Sequence, residues 1–234
     1  MTHVDPLICL GTWNVREGVA PEGSPGDAIL DDIERLLARH PVDILALQEV
    51  PFEDDHSAFA REAGRRAGLP YCLLHRLSPG MHRRGGSGLA LLGRVPFTNA
   101  ERHVLPNPGL THGGMRTFDK GLLIADADLG FARVVVASAH MVPFRRFARE
   151  ASDPEFTHIW ERAAKEIGRR PIGRAFVAGD LNTTRRDLLG LPLSATHATG
   201  VDTILYGGQA RMRSTGQFRN ASDHPFCVAE FALA

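Results

Sequence analysis

The sequence predicts an α/β fold in which two packed β-sheets carry helices on their outer faces. Short apolar runs of strand length recur along the chain, each bounded by Gly, Pro or a polar residue. Helical patterns follow early strands, whereas the later strands cluster with short turns, a mixture that argues against a purely parallel sheet. The 234 residues show no internal repeat and no low-complexity linker, so we expect a single domain over residues 1–234.

Nine runs have the length and composition of strands. They are rich in leucine or β-branched residues, and turn residues flank them. In chain order they read LICLGTWNV, DILALQEV, YCLLHRL, GLALLGR, KGLLIADADL, RVVVASAHM, RAFVAGDLN, DTILYG and FCVAEFAL.

Three helices are predicted between these runs, over residues 25–40, 54–67 and about 153–170. The first has an apolar face at helical spacing, formed by Ile29, Ile33, Leu36 and Leu37. Asp27 is a candidate cap for its start. Gly and Pro concentrate between Ser78 and Gly88 and between Pro106 and Gly114, which predicts two long surface loops where binding often occurs.

The charge balance gives no global basic field of the kind that alone indicates nucleic-acid binding. Lys plus Arg and Asp plus Glu number 27 each, for a net charge of zero. The basic residues are nearly all arginines, which suit bidentate contact with phosphate, so a local patch is compatible with the neutral total.

Cysteine content and the N-terminus predict a reduced, cytoplasmic setting. Cys9, Cys72 and Cys227 are odd in number, lack metal-ligand spacing and lie in apolar runs, so we expect buried thiols. The first fifteen residues lack the basic start and apolar core of a signal peptide. No apolar run approaches the length of a membrane span, so we expect no stable membrane insertion.

Polar residues suited to metal or phosphate chemistry stand at the ends of several strand-like runs. Asp180 and Asn182 are two positions apart, so in an extended chain they share a face. The others are Asn14, Gln48, Glu49, His140, Asp202, Asp223 and His224. Each alone has a structural alternative, as a turn residue, a cap, an edge carboxylate or a satisfied core histidine.

Together these side chains match the needs of phosphoester chemistry. Hard cations such as Mg²⁺ take oxygen ligands, often one or two carboxylates plus phosphate oxygens, and Glu49 and Asp223 are candidates to supply them. Histidines beside carboxylates provide acid, base or charge stabilisation. The sequence does not contain the motifs of other catalytic classes. GGSGL around Ser87 is not a G-x-S-x-G elbow, and the sequence has no H-E-x-x-H and no P-loop.

Seven of these motifs, in order, resemble the endonuclease/exonuclease/phosphatase superfamily. They are TWNV, DILALQEV, SGLALL, SAHM, AGDLNT, VDTIL and SDHP, and they run from Thr12 to Pro225. The resemblance implies a four-layer α/β sandwich of two mixed sheets with helices outside. It also implies hydrolysis of a phosphoester that depends on Mg²⁺, with Mn²⁺ as a possible substitute.

The resemblance also implies roles for individual residues. Glu49 would be the main metal ligand, with Asn14 and Asp223 beside the metal. Asp180 and Asn182 would orient or activate the attacking water and hold the phosphate. His224, paired with Asp202, would bind or protonate a phosphoryl oxygen, and His140 would contact the phosphate or assist the leaving group.

At two positions the sequence departs from the motifs of particular branches of the superfamily. Arg16 follows TWNV where abasic endonucleases carry an acidic residue. The segment RRGGS lacks the acidic partner that orients the corresponding histidine in pancreatic-type deoxyribonuclease, which puts His140 as a general acid in doubt.

These inferences leave three functional hypotheses. The first is a nuclease-type phosphodiesterase acting on DNA or RNA, with Arg116, Arg185 and Arg186 as phosphate contacts. The second is a phosphatase or phosphodiesterase for a small or lipid phosphoester, which the neutral charge and compact chain favour slightly. The third is a catalytically silent binding module, against which the complete catalytic set argues. No protein partner is predicted.

Overall fold

The computed structural model describes residues 5–20, 27–196 and 200–233. Within those residues it contains three α-helices: α1 (Ala28–Arg39), α2 (Ala58–Ala67) and α3 (Thr157–Gly168). The strands of the first half are β1 (Leu7–Asn14), β2 (Ile44–Phe52), β3 (Tyr71–Pro79), β4 (Gly86–Gly93), β5 (Phe97–Val104), β6 (Thr111–His112) and β7 (Met115–Arg116). Those of the second half are β8 (Gly121–Asp128), β9 (Arg133–His140), β10 (Ala175–Asp180), β11 (Leu193–Ala195), β12 (Asp202–Gly207), β13 (Ala210–Phe218) and β14 (Phe226–Leu233).

The strands form two six-stranded mixed sheets and one small hairpin. Sheet one has the order β13-β14-β1-β2-β4-β3, and sheet two has the order β11-β12-β10-β9-β8-β5. Each sheet contains a single parallel pair at its centre, β1 with β2 and β9 with β10, among the pairings of the described residues. The hairpin pairs β6 with β7.

Three hydrophobic layers separate the sheets and helices, so the molecule has four layers. Alternation along β2 shows how: Ile44 and Ala46 face the layer between the two sheets, while Leu45 and Leu47 face the layer beneath α1 and α2. The third layer packs α3 against the outer face of sheet two. The predicted α/β sandwich is therefore confirmed.

The helices fall within the predicted ranges but begin later than predicted. The four apolar residues predicted for α1 are all buried. Asp27 does occupy the N-cap position, although its side chain makes no capping hydrogen bond. In α2 the capping side chain is Ser57, whose hydroxyl accepts a hydrogen bond from the backbone N–H of Ala60 at 3.0 Å.

The two predicted loops are shorter than expected. β3 continues to Pro79 and β4 begins at Gly86, which leaves six connecting residues instead of the predicted eleven. The segment after Pro106 carries the β6–β7 hairpin. The prediction of three buried thiols was wrong for two of them, because Cys9 and Cys72 are only partly buried, whereas Cys227 is buried.

All three helices are short. Within the described part of the chain, no helix is both long enough and apolar enough to cross a membrane.

Candidate active site

Strand register brings the polar strand ends together. In sheet two, Asp180 lies opposite His140 on β9 and opposite Asp202 on β12. In sheet one, Asn14 at the end of β1 lies opposite Gln48 on β2. Because both parallel pairs end at the same edge of the sandwich, residues far apart in sequence become neighbours there.

Two of the candidate residues have left-handed backbone conformations. Glu49 has a φ of 52° and sits where the β2–β4 register shifts, so a β-bulge turns its side chain out of the regular alternation. Asn182 also has a φ of 52°. Such conformations cost of order 1–3 kcal/mol for residues other than glycine, and they cluster at functional sites.

Asp180 is the centre of the cluster. Its carboxylate accepts hydrogen bonds from Asn14 Nδ2 at 3.2 Å and from the backbone N–H of Asn182 at 2.9 Å. Two ring nitrogens also approach Asp180 Oδ2, His140 Nε2 at 3.6 Å and His224 Nδ1 at 3.8 Å. Burial, together with the negative charge of Asp202, raises the pKa of Asp180.

Asp202 and His224 form a hydrogen-bonded pair. His224 Nδ1 lies 2.9 Å from Asp202 Oδ2 and 3.1 Å from Oδ1. Burial alone would lower the pKa of His224, but the hydrogen bond to Asp202 and the charges of Asp180, Asp202 and Asp223 raise it to about 9. This pair holds a protonated imidazole at neutral pH, with Nδ1 directed at the carboxylate.

His140 has a cationic partner in place of the acidic one that the sequence lacks. Lys120 Nζ lies 2.9 Å from His140 Nε2 and 3.3 Å from Nδ1. Burial first, and then the charges of Lys120, His224 and Arg146, hold the pKa of His140 well below its usual range. The imidazole is therefore neutral and accepts a hydrogen bond from the ammonium group, which fits poorly with a general acid at this position.

Lys120 is a site residue that none of the sequence motifs contains. It directly precedes β8, whose first residue, Gly121, lies opposite His140 on β9. Burial lowers the pKa of Lys120, and the carboxylates of Glu49 and Asp180 oppose that shift. The available signal was a lysine at the start of an apolar strand in a chain whose cations are nearly all arginine.

A buried polar link joins the two sheets beneath these residues. Gln48 Nε2 donates to Thr12 Oγ1 at 3.2 Å and, across to sheet two, to Ser138 Oγ at 3.1 Å. Ser138 in turn donates to the carbonyl of Leu47. All three polar side chains are fully buried, so the link fixes β2 against β9 one residue before Glu49.

A cavity of about 510 Å³ opens over the cluster. Its polar lining includes Glu49, Lys120, His140, Asp180, Asn182 and His224. His140 Nε2 and Glu49 Oε1 are 3.8 Å apart across it. Both segments that were predicted to be long loops reach this cavity, the first through Met81 and the second through the β6–β7 hairpin.

Asn14, Arg16 and Asp223 lie beside the cluster. Asn14 Oδ1 accepts a hydrogen bond from the backbone N–H of Arg16 at 3.0 Å, and its backbone carbonyl accepts one from Ser222 Oγ at 2.8 Å. The Asp223 carboxylate is half-exposed and lies 3.9 Å from Arg16 Nε. Arg16 therefore partly neutralises the carboxylate of Asp223, which was predicted to lie beside the metal.

The three predicted phosphate-binding arginines have different surroundings. Arg116 lines the cavity, with its guanidinium carbon 5.7 Å from the centroid of the Phe118 ring. Arg185 is exposed and pairs with Asp187 at 2.7 Å. Arg186 donates to the backbone carbonyls of Thr183 and Gly200, so it braces the segment after β10. Neither Arg185 nor Arg186 is among the residues that line the cavity.

One group of two carboxylates and a histidine at the cavity has the spacing of metal ligands. Asp180 and Asp202 are buried close together, and burial, followed by the negative charge of Asp202, raises the pKa of Asp180. Asp180, Asp202 and His224 place one ligand atom each within 4.8 Å of one another. Glu49 and Asp223 are not part of that group, so the structure does not itself assemble the predicted metal ligands.

A second acidic cluster fits a cation poorly. Glu101, His103 and Glu166 also lie within the same spacing. However, arginines already pair with its carboxylates: Arg170 with Glu101, and Arg162 and Arg169 with Glu166. This second cluster is therefore an ion-pair network between carboxylates and arginines.

Carboxylates, histidines and a lysine that meet at one edge of a four-layer sandwich suit the acid, base and charge-stabilising roles of hydrolytic chemistry. Residues 11–224 match the model of the Endonuclease/Exonuclease/phosphatase family. Because this match spans most of the chain, the protein belongs to that family and is a phosphoester hydrolase. No curated protein sequence matches it.

Solved structures share the fold at low sequence identity. An endonuclease/exonuclease/phosphatase from Beutenbergia cavernae is 16% identical with a TM-score of 0.70, over 97% of this chain and 72% of that one. The human Nocturnin catalytic domain with bound sulfate is 18% identical with a TM-score of 0.68, over 99% and 96%. The Neisseria 3′ phosphatase NExo, bound to a product DNA hairpin, is 19% identical with a TM-score of 0.60, over 96% and 99%.

Proposed function

We propose that this protein is a Mg²⁺-dependent, nuclease-type phosphodiesterase that hydrolyses its substrate by in-line attack of water. The observation that carries the proposal is the set of contacts around Asp180, where one buried carboxylate meets Asn14, Asn182 and two histidines at the floor of a cavity. The solved 3′ phosphatase, with its bound product DNA, supports a nucleic-acid substrate by analogy.

Asp180 and Asn182 are assigned to the attacking water. Asn182 Nδ2 donates to the carbonyl of Met141 at 2.9 Å, which fixes the amide group. Asp180 is held by two hydrogen bonds and lines the same cavity, so both side chains are pre-positioned before substrate arrives. A fixed carboxylate beside a fixed amide orients one water for displacement at phosphorus.

His224 and Lys120 are assigned to the negative charge of the phosphate. His224 Nδ1 is directed at Asp202, which leaves Nε2 to donate to a phosphoryl oxygen. Lys120 brings an ammonium group to the opposite part of the cluster beside His140. Arg116, in the cavity lining, adds a further cation.

Glu49, Asn14 and Asp223 are the proposed ligands of the metal. Bound there, Mg²⁺, or Mn²⁺ in its place, would neutralise charge that develops on the phosphate. The Asn14 amide oxygen already accepts one hydrogen bond from Arg16, and a carbonyl oxygen has a second lone pair for a metal or its water. A cytoplasmic location remains a prediction from the sequence.

A second candidate is a phosphatase or phosphodiesterase for a small or lipid phosphoester. The cavity volume of about 510 Å³ falls in the range typical of small-molecule sites, which favours this alternative. Such an enzyme would hydrolyse small esters with little salt dependence, whereas a nuclease should bind DNA with a steep dependence on salt.

One experiment separates these candidates. Plasmid DNA, single-stranded DNA, bis-p-nitrophenyl phosphate and a phospholipid panel with sphingomyelin would be incubated with Mg²⁺, Mn²⁺ or EDTA. Metal-dependent hydrolysis of DNA supports the proposal, while hydrolysis of lipid or small esters alone moves the assignment to the second candidate. Asp180→Asn, in which an amide of similar size replaces the central carboxylate, is the matched inactive protein.

A further inference from the structure

One side wall of the cavity is apolar. It is formed by Met81, Met115, Phe118, Pro143 and Phe147, next to the polar floor. Met81 and Met115 remain 44% and 48% exposed, which places both among the large hydrophobic side chains most exposed in the described chain. Two exposed methionines at the mouth of a catalytic cavity indicate a surface that a ligand covers.

The loop that carries Met81 is anchored by a buried carboxylate. Glu17 is 1% exposed and accepts hydrogen bonds from three successive backbone N–H groups, those of Met81, His82 and Arg83, at 2.7, 2.7 and 2.9 Å. Arg83 also donates to the Glu17 carbonyl. Met81 is therefore held at the cavity by a specific set of contacts.

The same wall combines an aromatic ring with a cation. Arg116, on the β6–β7 hairpin, lies over Phe118 at 5.7 Å, and Arg146 also lines the cavity. A guanidinium beside an aromatic ring suits a flat group with hydrogen-bond acceptors at its edge, and methionine sulfur makes favourable contacts with aromatic rings. An alkyl chain would desolvate the guanidinium groups and offer them no acceptor.

We propose that this wall binds one unstacked nucleobase next to the scissile phosphate, so that the substrate is a single-stranded nucleic acid or a strand end. The inference rests on the proposed phosphodiesterase function and names its substrate class. Bases inside an intact duplex are stacked on both faces and cannot present a face to Met81 and Met115. The wall residues and the proposed phosphate-binding residues line one cavity, and the proposal places the base and the phosphate of a single nucleotide there.

A binding measurement tests the subsite without requiring turnover. In 2-deoxyribose 5-phosphate a hydroxyl group replaces the base of thymidine 5′-monophosphate at C1′, and calorimetry in Mg²⁺ compares the affinities of the two compounds. We expect the nucleotide to bind at least about tenfold more tightly to the wild-type protein. In the double variant Met81→Ala/Met115→Ala this preference should fall to about twofold or less, because the base loses its apolar contacts.

Phe131→Ala is the matched control. Phe131 is 50% exposed and lies between β8 and β9, outside the cavity lining, so its removal should leave the preference intact. Equal affinity for the two phosphates in the wild-type protein would overturn the inference. So would an unchanged preference in the double variant, or butyl phosphate that binds as tightly as the nucleotide.

Dinucleotide hydrolysis separates this inference from the proposed function. Thymidylyl-thymidine would be compared with the two dinucleotides in which one base is replaced by hydrogen on either side of the phosphate. Loss of rate on removal of one particular base supports the subsite. If the protein prefers the base in binding but hydrolyses none of the dinucleotides, the phosphodiesterase function is refuted and the base subsite is retained. If it hydrolyses all three dinucleotides at equal rates, the subsite is refuted and the phosphodiesterase function is retained.

Discussion

Two histidines approach the same carboxylate oxygen of Asp180, and their other neighbours give them different charges. His224 has Asp202 at 2.9 Å, whereas His140 has the ammonium of Lys120 at 2.9 Å. The first partner stabilises an imidazolium and the second excludes one. The sequence predicted the His224–Asp202 pair by family resemblance, whereas the contact between Lys120 and His140 depends on the register of β8 against β9, which no local pattern shows.

The pKa of His224 tests its pairing with Asp202. NMR of the metal-free protein in EDTA should give His224 a pKa of about 9. Since the folded-state pKa lies above the unfolded value, the stabilisation from this group is full below about pH 6.5 and is lost as the pH rises through 9. In Asp202→Asn the pKa should fall below that of the wild-type protein, and an unchanged value would refute the role of Asp202.

Removal of the Lys120 ammonium should slow phosphodiester hydrolysis. Lys120→Met keeps an apolar stem of similar length, and loss of one positioned cation at a phosphate costs on the order of a hundredfold in turnover. The pKa of His140 should rise at the same time, because a positive neighbour is removed. Lys165→Met, on the exposed face of α3, is the control and should retain the wild-type kcat and the wild-type His140 titration.

At the level of the elements, most of the predicted strands bury both faces, and the edge strand β3 is the exception. Each of the nine apolar runs contains a strand, and the helical spacings located all three helices. The strands that were not predicted lie mainly at sheet edges, such as β5 and β13, whose residues are mostly exposed or half-buried and include charged side chains. Their pairing depends on a neighbouring strand, which a local apolar pattern does not reveal.

The loop between β3 and β4 should loosen when its anchor is neutralised. Glu17→Gln replaces charge-assisted hydrogen bonds to three backbone N–H groups, each worth roughly 1.5–3 kcal/mol when charged. We expect trypsin to cleave after Arg83 or Arg84 on the order of tenfold faster than in the wild-type protein. Glu34→Gln, on the exposed surface of α1, should leave the cleavage rate unchanged, and equal rates for all three proteins would contradict the anchoring role.

At the scale of the whole molecule, the layer between the sheets holds the two halves of the site in register. Phe176 on β10 and Phe231 on β14 pack across it, with ring centroids 5.0 Å apart. Asp180 ends the same strand as Phe176, and His224 precedes the strand of Phe231. The sequence predicted the four layers because strand alternation and helical faces are local patterns, but the cavity volume and its apolar wall depend on how distant loops meet.

Phe231→Ala should destabilise the sandwich by about 3–5 kcal/mol, as expected for removal of a fully buried aromatic side chain. Denaturant unfolding followed by circular dichroism measures this change. Phe131→Ala removes a ring that is 50% exposed, and its effect should stay within about 0.5 kcal/mol. Similar losses in both variants would contradict the placement of Phe231 at the centre of the inter-sheet layer.

The proposed function depends on metal-dependent phosphodiester hydrolysis by the cluster around Asp180. Its most direct test is the turnover of bis-p-nitrophenyl phosphate by the wild-type protein and by Asp180→Asn, each with Mg²⁺ and with EDTA. We expect turnover in the wild-type protein with Mg²⁺, none with EDTA, and a loss of hundreds-fold or more in the variant. Turnover that persists in EDTA would contradict the proposed metal dependence. Unchanged turnover in a folded Asp180→Asn protein would contradict the proposed role of Asp180.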